Sequence, residues 1–245
     1  MAERGVWLIA AQATTPGRTQ ASAQLGFTLR SVLLSPRAGF AEVFRVTRKR
    51  EQAGTRPVEG VAPYVLSALG GAALMLVWLK LGSLIGVREV ARSGFEWGYL
   101  IAAGVAGALL GLVAQLVWGY LGSGAARLAG GDSNARDMRV VWGASAFPQI
   151  LGLAILLPLD LIIVGSDTFT SEKLGDSLAT GWAALSIAFS LSLVVWSLFI
   201  FVRGVEVASS LPPLKALGVT LVGVLVLAAI AGGSVAGAAA LGGGA

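Results

Sequence analysis

Residues 98–121 read GYLIAAGVAGALLGLVAQLVWGYL and contain no charged side chain. A helix of this length measures about 36 Å at 1.5 Å per residue. The hydrocarbon core of a bilayer is about 30 Å thick, so the stretch is long enough to cross it. It therefore predicts a transmembrane helix, and this prediction decides the fold class.

Four further apolar stretches of similar length lie at about 62–86, 140–165, 178–202 and 215–241. Together they predict an all-α polytopic membrane protein, a bundle of five transmembrane helices with amphipathic interfacial helices at its N-terminus. The composition agrees, because 56% of residues are hydrophobic and only 13% are charged, with a mean hydropathy of +0.79. We expect two regions, a basic cytoplasmic N-terminal segment at 1–61 and a membrane domain at 62–245.

The basic residues lie mostly on one side of the five predicted spans. The segment before the first span, together with the second and fourth connections, holds 14 of the 18 lysines and arginines, and the other two connections hold 3. Basic loops remain preferentially in the cytoplasm. The charges therefore predict a protein of the cell membrane with a cytoplasmic N-terminus and a non-cytoplasmic C-terminus.

The residue types that are missing exclude several kinds of chemistry. The sequence has no cysteine and no histidine, which excludes thiolate nucleophiles, disulfides and the Ser-His-Asp triad. It also has no Walker loop, and no pair of carboxylates lies within a predicted span. We therefore expect a protein that is not an enzyme and that has no cofactor and no metal site.

A basic amphipathic helix is predicted directly before the membrane domain. Ser35 and Pro36 form a helix start, because serine caps helices and proline suits the first turn. Two functions remain open for this helix: its cations bind anionic lipid at the membrane surface, or they only enforce topology. Its apolar face would consist of Phe40, Val43, Phe44 and Thr47, and its basic residues are Arg37, Arg45, Arg48, Lys49 and Arg50.

Two ionisable residues, Lys80 and Asp160, lie well inside the predicted spans, where charges are costly and often functional. Each lies about 27–30 Å from the cytoplasmic end of its span, so both are near the outer interface. They could form a salt bridge, but separate snorkelling to the interface is the simpler expectation. Pro148 and Pro158 are candidate kinks, and Gln149 is an amide near the middle of the membrane that could tie helices together.

Two short motifs carry a resemblance to a known family. The first is Leu34-Ser35-Pro36-Arg37-Ala38-Gly39-Phe40, which looks like a Pro-Arg-x-x-Phe signature of the bacterial Yip family. The second is Arg127-Leu128-Ala129-Gly130-Gly131, followed by Gly143-Ala144-Ser145-Ala146-Phe147-Pro148. The resemblance implies a five-helix membrane bundle with a cytoplasmic N-terminus. Eukaryotic members are implicated in vesicle trafficking and contact Rab GTPases, but their acidic, tyrosine-rich N-terminal motifs are absent here.

These observations favour a non-enzymatic membrane scaffold or interaction protein. The alternative is a small transporter or channel subunit whose path Lys80, Asp160, Pro148, Pro158 and Gln149 would line or gate. The expected partners are the lipid bilayer, including anionic lipids, and another membrane protein or a second copy of the chain, but no nucleic acid. The candidate cytoplasmic surface consists of Arg45, Arg48, Lys49, Arg50, Gly130, Gly131, Arg136 and Arg139.

Overall fold

The computed structural model describes residues 30–52, 61–84, 97–165 and 177–225, and the regular structure within these ranges is helical. A short helical segment at 30–34 precedes the first long helix. The helices are α1 (Pro36–Gln52), α2 (Ala62–Leu84), α3 (Trp97–Leu128), α4 (Ala135–Ser145), α5 (Phe147–Ile163), α6 (Ser177–Ser209) and α7 (Pro213–Leu225).

Four segments are long and apolar enough to cross a membrane: Ala62–Leu81, Leu100–Leu128, Ala135–Ile163 and Leu178–Ser209. They correspond to the first four predicted spans, and the chain is a multi-pass helical membrane protein. The fifth predicted span begins with α7, a shorter apolar helix. The remainder of that span, from 226 to 241, lies outside the described residues, as do residues 1–29 and 53–60 of the predicted N-terminal segment.

The third membrane segment is two helices and not one. α4 ends at Ser145 and α5 begins at Phe147, so Ala146 caps both. Pro148 lies in the first turn of α5, where a missing N–H breaks no helical hydrogen bond. Pro148 therefore begins a helix instead of kinking one, whereas Pro158 lies inside α5 as expected.

Helices α2 and α3 are antiparallel neighbours that meet through small residues. A Cβ atom at Gly107 would lie 2.6 Å from the Gly71 carbonyl oxygen, and one at Gly71 would lie 2.8 Å from Cα of Gly111. No side chain fits between the two backbones at these points. Such close approach is the usual means by which membrane helices gain contact area, since lipid tails are as apolar as the helix faces.

The bundle has two ends that differ in content. The α1 end contains α1, α4, the last turns of α3 and α6, and the start of α7, which surround an apolar core. The far end contains the last turns of α2 and α5 and the start of α6. Between the ends, α3 and α6 expose large apolar side chains, among them Leu109 and Val195, which gives the protein its contact with the bilayer.

Candidate functional site

Helix α1 is docked on the bundle by the apolar face that its sequence predicts. Phe40 is 0% exposed and stacks on the buried Phe44, with ring centroids 6.1 Å apart. Gly204 of α6 provides the space, because a Cβ atom there would lie 2.9 Å from the Phe40 ring. The helix is amphipathic as expected, but its apolar face packs against protein and not against lipid.

A buried carboxylate also contacts the start of the same helix. Glu206 of α6 is 5% exposed, and its Oε2 accepts a hydrogen bond from Arg203 Nη1 at 2.8 Å. Arg37 Nε lies 3.4 Å from the other carboxylate oxygen. In the Pro-Arg-x-x-Phe motif, Arg37 and Phe40 therefore both contact α6. Sequence reasoning missed Glu206, although an acid three residues after Arg203 is the spacing of a helical ion pair.

The Gly130–Gly131 turn joins the ends of three helices. Gly130 has a φ of +88°, which side chains rarely tolerate. The backbone N–H that follows Gly131 donates to the Ser209 carbonyl of α6 at 3.0 Å. From α7, Lys215 Nζ donates to the Ala129 carbonyl, also at 3.0 Å. The motif is therefore a structural junction of α3, α6 and α7.

The structure brings the predicted surface residues to the α1 end, but it exposes them unequally. Arg45 is exposed and pairs with Glu42, which raises the pKa of the Arg45 guanidinium through a hydrogen bond and then through its charge. Arg48 is exposed as well, while Arg136 and Arg139 are only half-exposed on α4. Lys49 and Arg50 lie in α1, and their side chains are outside the described part.

The far end contains a buried ion pair between Lys80 of α2 and Asp160 of α5, which are 5% and 3% exposed. Lys80 Nζ donates to Asp160 Oδ2 at 2.5 Å and also donates to Ser186 Oγ of α6. Trp182 Nε1 donates to the other carboxylate oxygen at 2.9 Å. The expectation of separate snorkelling is wrong, because pairing within hydrogen bonds is the lower-cost arrangement for two charges at the same depth.

The partners of this ion pair on α6 were not found from the sequence. Trp182, Ser186 and Ser190 are spaced four residues apart, so they share one face of α6. That spacing is the signal that could have found them. Ser190 extends the polar stripe by donating to the Ser186 carbonyl at 2.8 Å.

A small cavity of about 30 Å³ lies beside the ion pair, between α2, α5 and α6. Lys80, Asp160, Gln149 and Ser190 are its polar lining residues, so three of the predicted intramembrane residues lie at one site. Pro148 and Pro158 are not lining residues. The apolar lining consists of Ala73, Leu76, Val77, Gly152, Leu153, Leu156, Leu157 and Leu193.

A family model described as the Yip1 domain matches residues 30–235, which is most of the chain and includes every helix from α1 to α7. The matched range begins just before the Pro-Arg-x-x-Phe motif and contains the Gly130–Gly131 turn. Comparison with curated proteins gave no match, and comparison with solved structures gave none either.

Proposed function

This chain belongs to the Yip1 domain family, and we propose that it acts as a non-enzymatic scaffold in the cell membrane. Its α1 end would face the cytoplasm and hold another membrane protein or a second copy of the chain, with anionic lipid around it. The predicted orientation rests on the concentration of lysine and arginine at this end. The predicted division between residues 1–61 and 62–245 is part of the same proposal.

The observation that carries the proposal is the fixed position of α1. The apolar face of α1 and the ion pair of Arg37 with Glu206 hold the helix on the bundle. Its opposite face, which includes Ala41, Arg45 and Arg48, therefore stays exposed. A surface that is already ordered loses little entropy when a partner binds, so it is suited to recognition.

Site-specific photocrosslinking in the native membrane tests the scaffold. A photoreactive amino acid at Ala41 lies on the exposed face of α1, and the matched control at Val195 lies in the lipid-facing surface of α6. We expect protein adducts of defined mass from Ala41 and lipid adducts alone from Val195. If Ala41 gives no protein adduct, the scaffold proposal is rejected.

Cysteine labelling in sealed vesicles tests the orientation. The chain has no cysteine, so a single introduced thiol reports its own position. Arg48→Cys is at the α1 end and Leu178→Cys is at the far end, and both residues are exposed. We expect an impermeant reagent to label the two thiols from opposite sides, with Arg48→Cys reached from the cytoplasmic side. Labelling of Arg48→Cys from the outer side would reverse the proposed topology.

A second candidate function, a small transporter or channel subunit, is favoured by the cavity beside Lys80 and Asp160, whose lining includes four polar side chains. Solute flux into proteoliposomes distinguishes it from the scaffold. Transport through this site requires that Lys80→Met and Asp160→Asn change the flux, whereas Ile155→Ala, at an exposed position of α5 outside the cavity lining, leaves it unchanged. Equal flux in all variants would remove the cavity from any pathway.

A further inference from the structure

We propose that the cavity between α2, α5 and α6 is a binding site for ordered water, which hydrogen bonds to the Lys80–Asp160 pair inside the membrane-spanning part of the protein. The proposal is independent of the scaffold function. Four polar side chains from three helices line the cavity, and all four are buried. They are Lys80, Gln149, Asp160 and Ser190.

The size of the cavity is suited to water. Its volume is about 30 Å³, and a cavity needs about 10–15 Å³ to hold a single water molecule. One or two water molecules therefore fit. Cavities with only apolar walls stay dry, but a cavity of sufficient size whose wall includes polar groups holds water where two to four of them serve as hydrogen-bonding partners.

The positions of the polar groups provide those partners. Ser190 lies one helical turn from Ser186, the residue whose hydroxyl accepts from Lys80. The Ser190 hydroxyl donates to the Ser186 carbonyl, so its oxygen remains an acceptor on the cavity side. In the proposed site, a water molecule bridges the Ser190 hydroxyl to the Lys80–Asp160 pair. Gln149 is about 16 Å away along α5, at the other end of the cavity.

The charges of Lys80 and Asp160 favour bound water in the cavity. Moving charged groups out of water is costly, and additional hydrogen bonds to the charges reduce that cost. An ammonium can donate three hydrogen bonds, and a carboxylate has about four acceptor positions. Water beside the pair supplies such bonds, which the apolar lining residues of the cavity do not supply.

Two neighbouring serines of α6 provide a matched stability test. Ser190 and Ser192 each donate to the carbonyl four residues earlier at 2.8 Å, but Ser190 lines the cavity and Ser192 is exposed. We expect Ser190→Ala, which removes a partner of the water, and Ser190→Val, which displaces it, to lower the Tm by about 2–4 °C. Ser192→Ala should leave the Tm unchanged. In a dry cavity, Ser190→Val would instead raise the Tm by filling space.

Hydroxyl-radical footprinting of the intact protein in lipid nanodiscs detects the water directly, because bound water is the local source of radicals. Leu153 lines the cavity, and Leu151, two residues away on α5, is exposed on the lipid-facing side. We expect oxidation of Leu153 above that of Leu151, and a loss of this excess in Ser190→Val. Equal labelling of the two leucines, or a Tm that Ser190→Ala does not lower, would overturn the water site.

Discussion

The α1 end and the far end join their helices by opposite means. At the α1 end the centre is aromatic: the Trp118 ring lies 4.8 Å from that of Phe201 and 6.3 Å from that of Trp142. The ion pairs there lie around this apolar core. At the far end the arrangement is reversed, because the ion pair is central and apolar residues surround it.

Part of the difference follows from the surroundings of α1. Helix α1 lies outside the membrane-spanning segments, so burying its aromatic face removes apolar surface from water. Between helices in lipid that gain disappears, because lipid tails are as apolar as leucine. Hydrogen bonds and close backbone contacts must then select the neighbours. The two ends should consequently respond differently to the same kinds of substitution.

The largest effect is expected from Lys80→Met, which leaves the buried Asp160 carboxylate without its cation. Breaking one partner of a buried ion pair costs about 3–5 kcal/mol of unfolding free energy. Reversible unfolding in mixed micelles measures it. Lys80→Met combined with Asp160→Leu should recover most of the loss, since no charge then remains. A double variant as unstable as the single one would mean that packing, and not charge, holds this end.

Phe40→Ala should be the most damaging single change to the docking of α1. It leaves a cavity in a tightly packed site and is expected to cost about 3 kcal/mol. The matched control is Val46→Ala, because Val46 is on the same helix but exposed. Faster proteolysis of α1 in Phe40→Ala, with the far end still protected, would support a local release. If both variants lose equal stability, the aromatic face does not hold α1.

A smaller effect is expected at the start of α4. The Asn134 side-chain oxygen accepts from the Asp137 backbone N–H at 2.8 Å and caps the helix. Asn134→Ala should therefore lower the unfolding free energy by about 1 kcal/mol. Asn134→Ser keeps a capping oxygen and should retain most of the stability. Thermal unfolding in detergent compares the two variants, and an equal loss in both would contradict the capping role.

The smallest effects are expected from the two exposed arginines of α1, Arg37 and Arg45. The Arg37 side chain is 75% exposed, and Arg203 continues to pair with Glu206, so the loss from Arg37→Gln should stay below about 1 kcal/mol. A still smaller change in Tm is expected for Arg45→Gln, whose pair with Glu42 is on the surface. A loss from Arg37→Gln as large as that from Lys80→Met would remove the distinction between the two ends.

The membrane helices could be predicted because each is a long apolar stretch. The length of such a stretch can be compared directly with the thickness of the bilayer. The break at Ala146 was missed, since apolar residues continue through it and Pro148 suits both a kink and a helix start. The sequence places Lys80 and Asp160 at the same depth in the membrane, but depth alone does not determine which helices are neighbours. Their pairing therefore depends on the packing of α2 against α5, which sequence spacing does not contain.

The Lys80 pair also has a consequence for how the protein is made. Lys80 is synthesised 80 residues before Asp160 and 106 residues before Ser186. At about 5–20 residues per second, the ribosome needs roughly 4–16 seconds to produce Asp160 after Lys80. During this interval Asp160 does not yet exist, so snorkelling to the interface is the way in which the Lys80 ammonium can stay solvated. The salt bridge can form only after α5 has been synthesised.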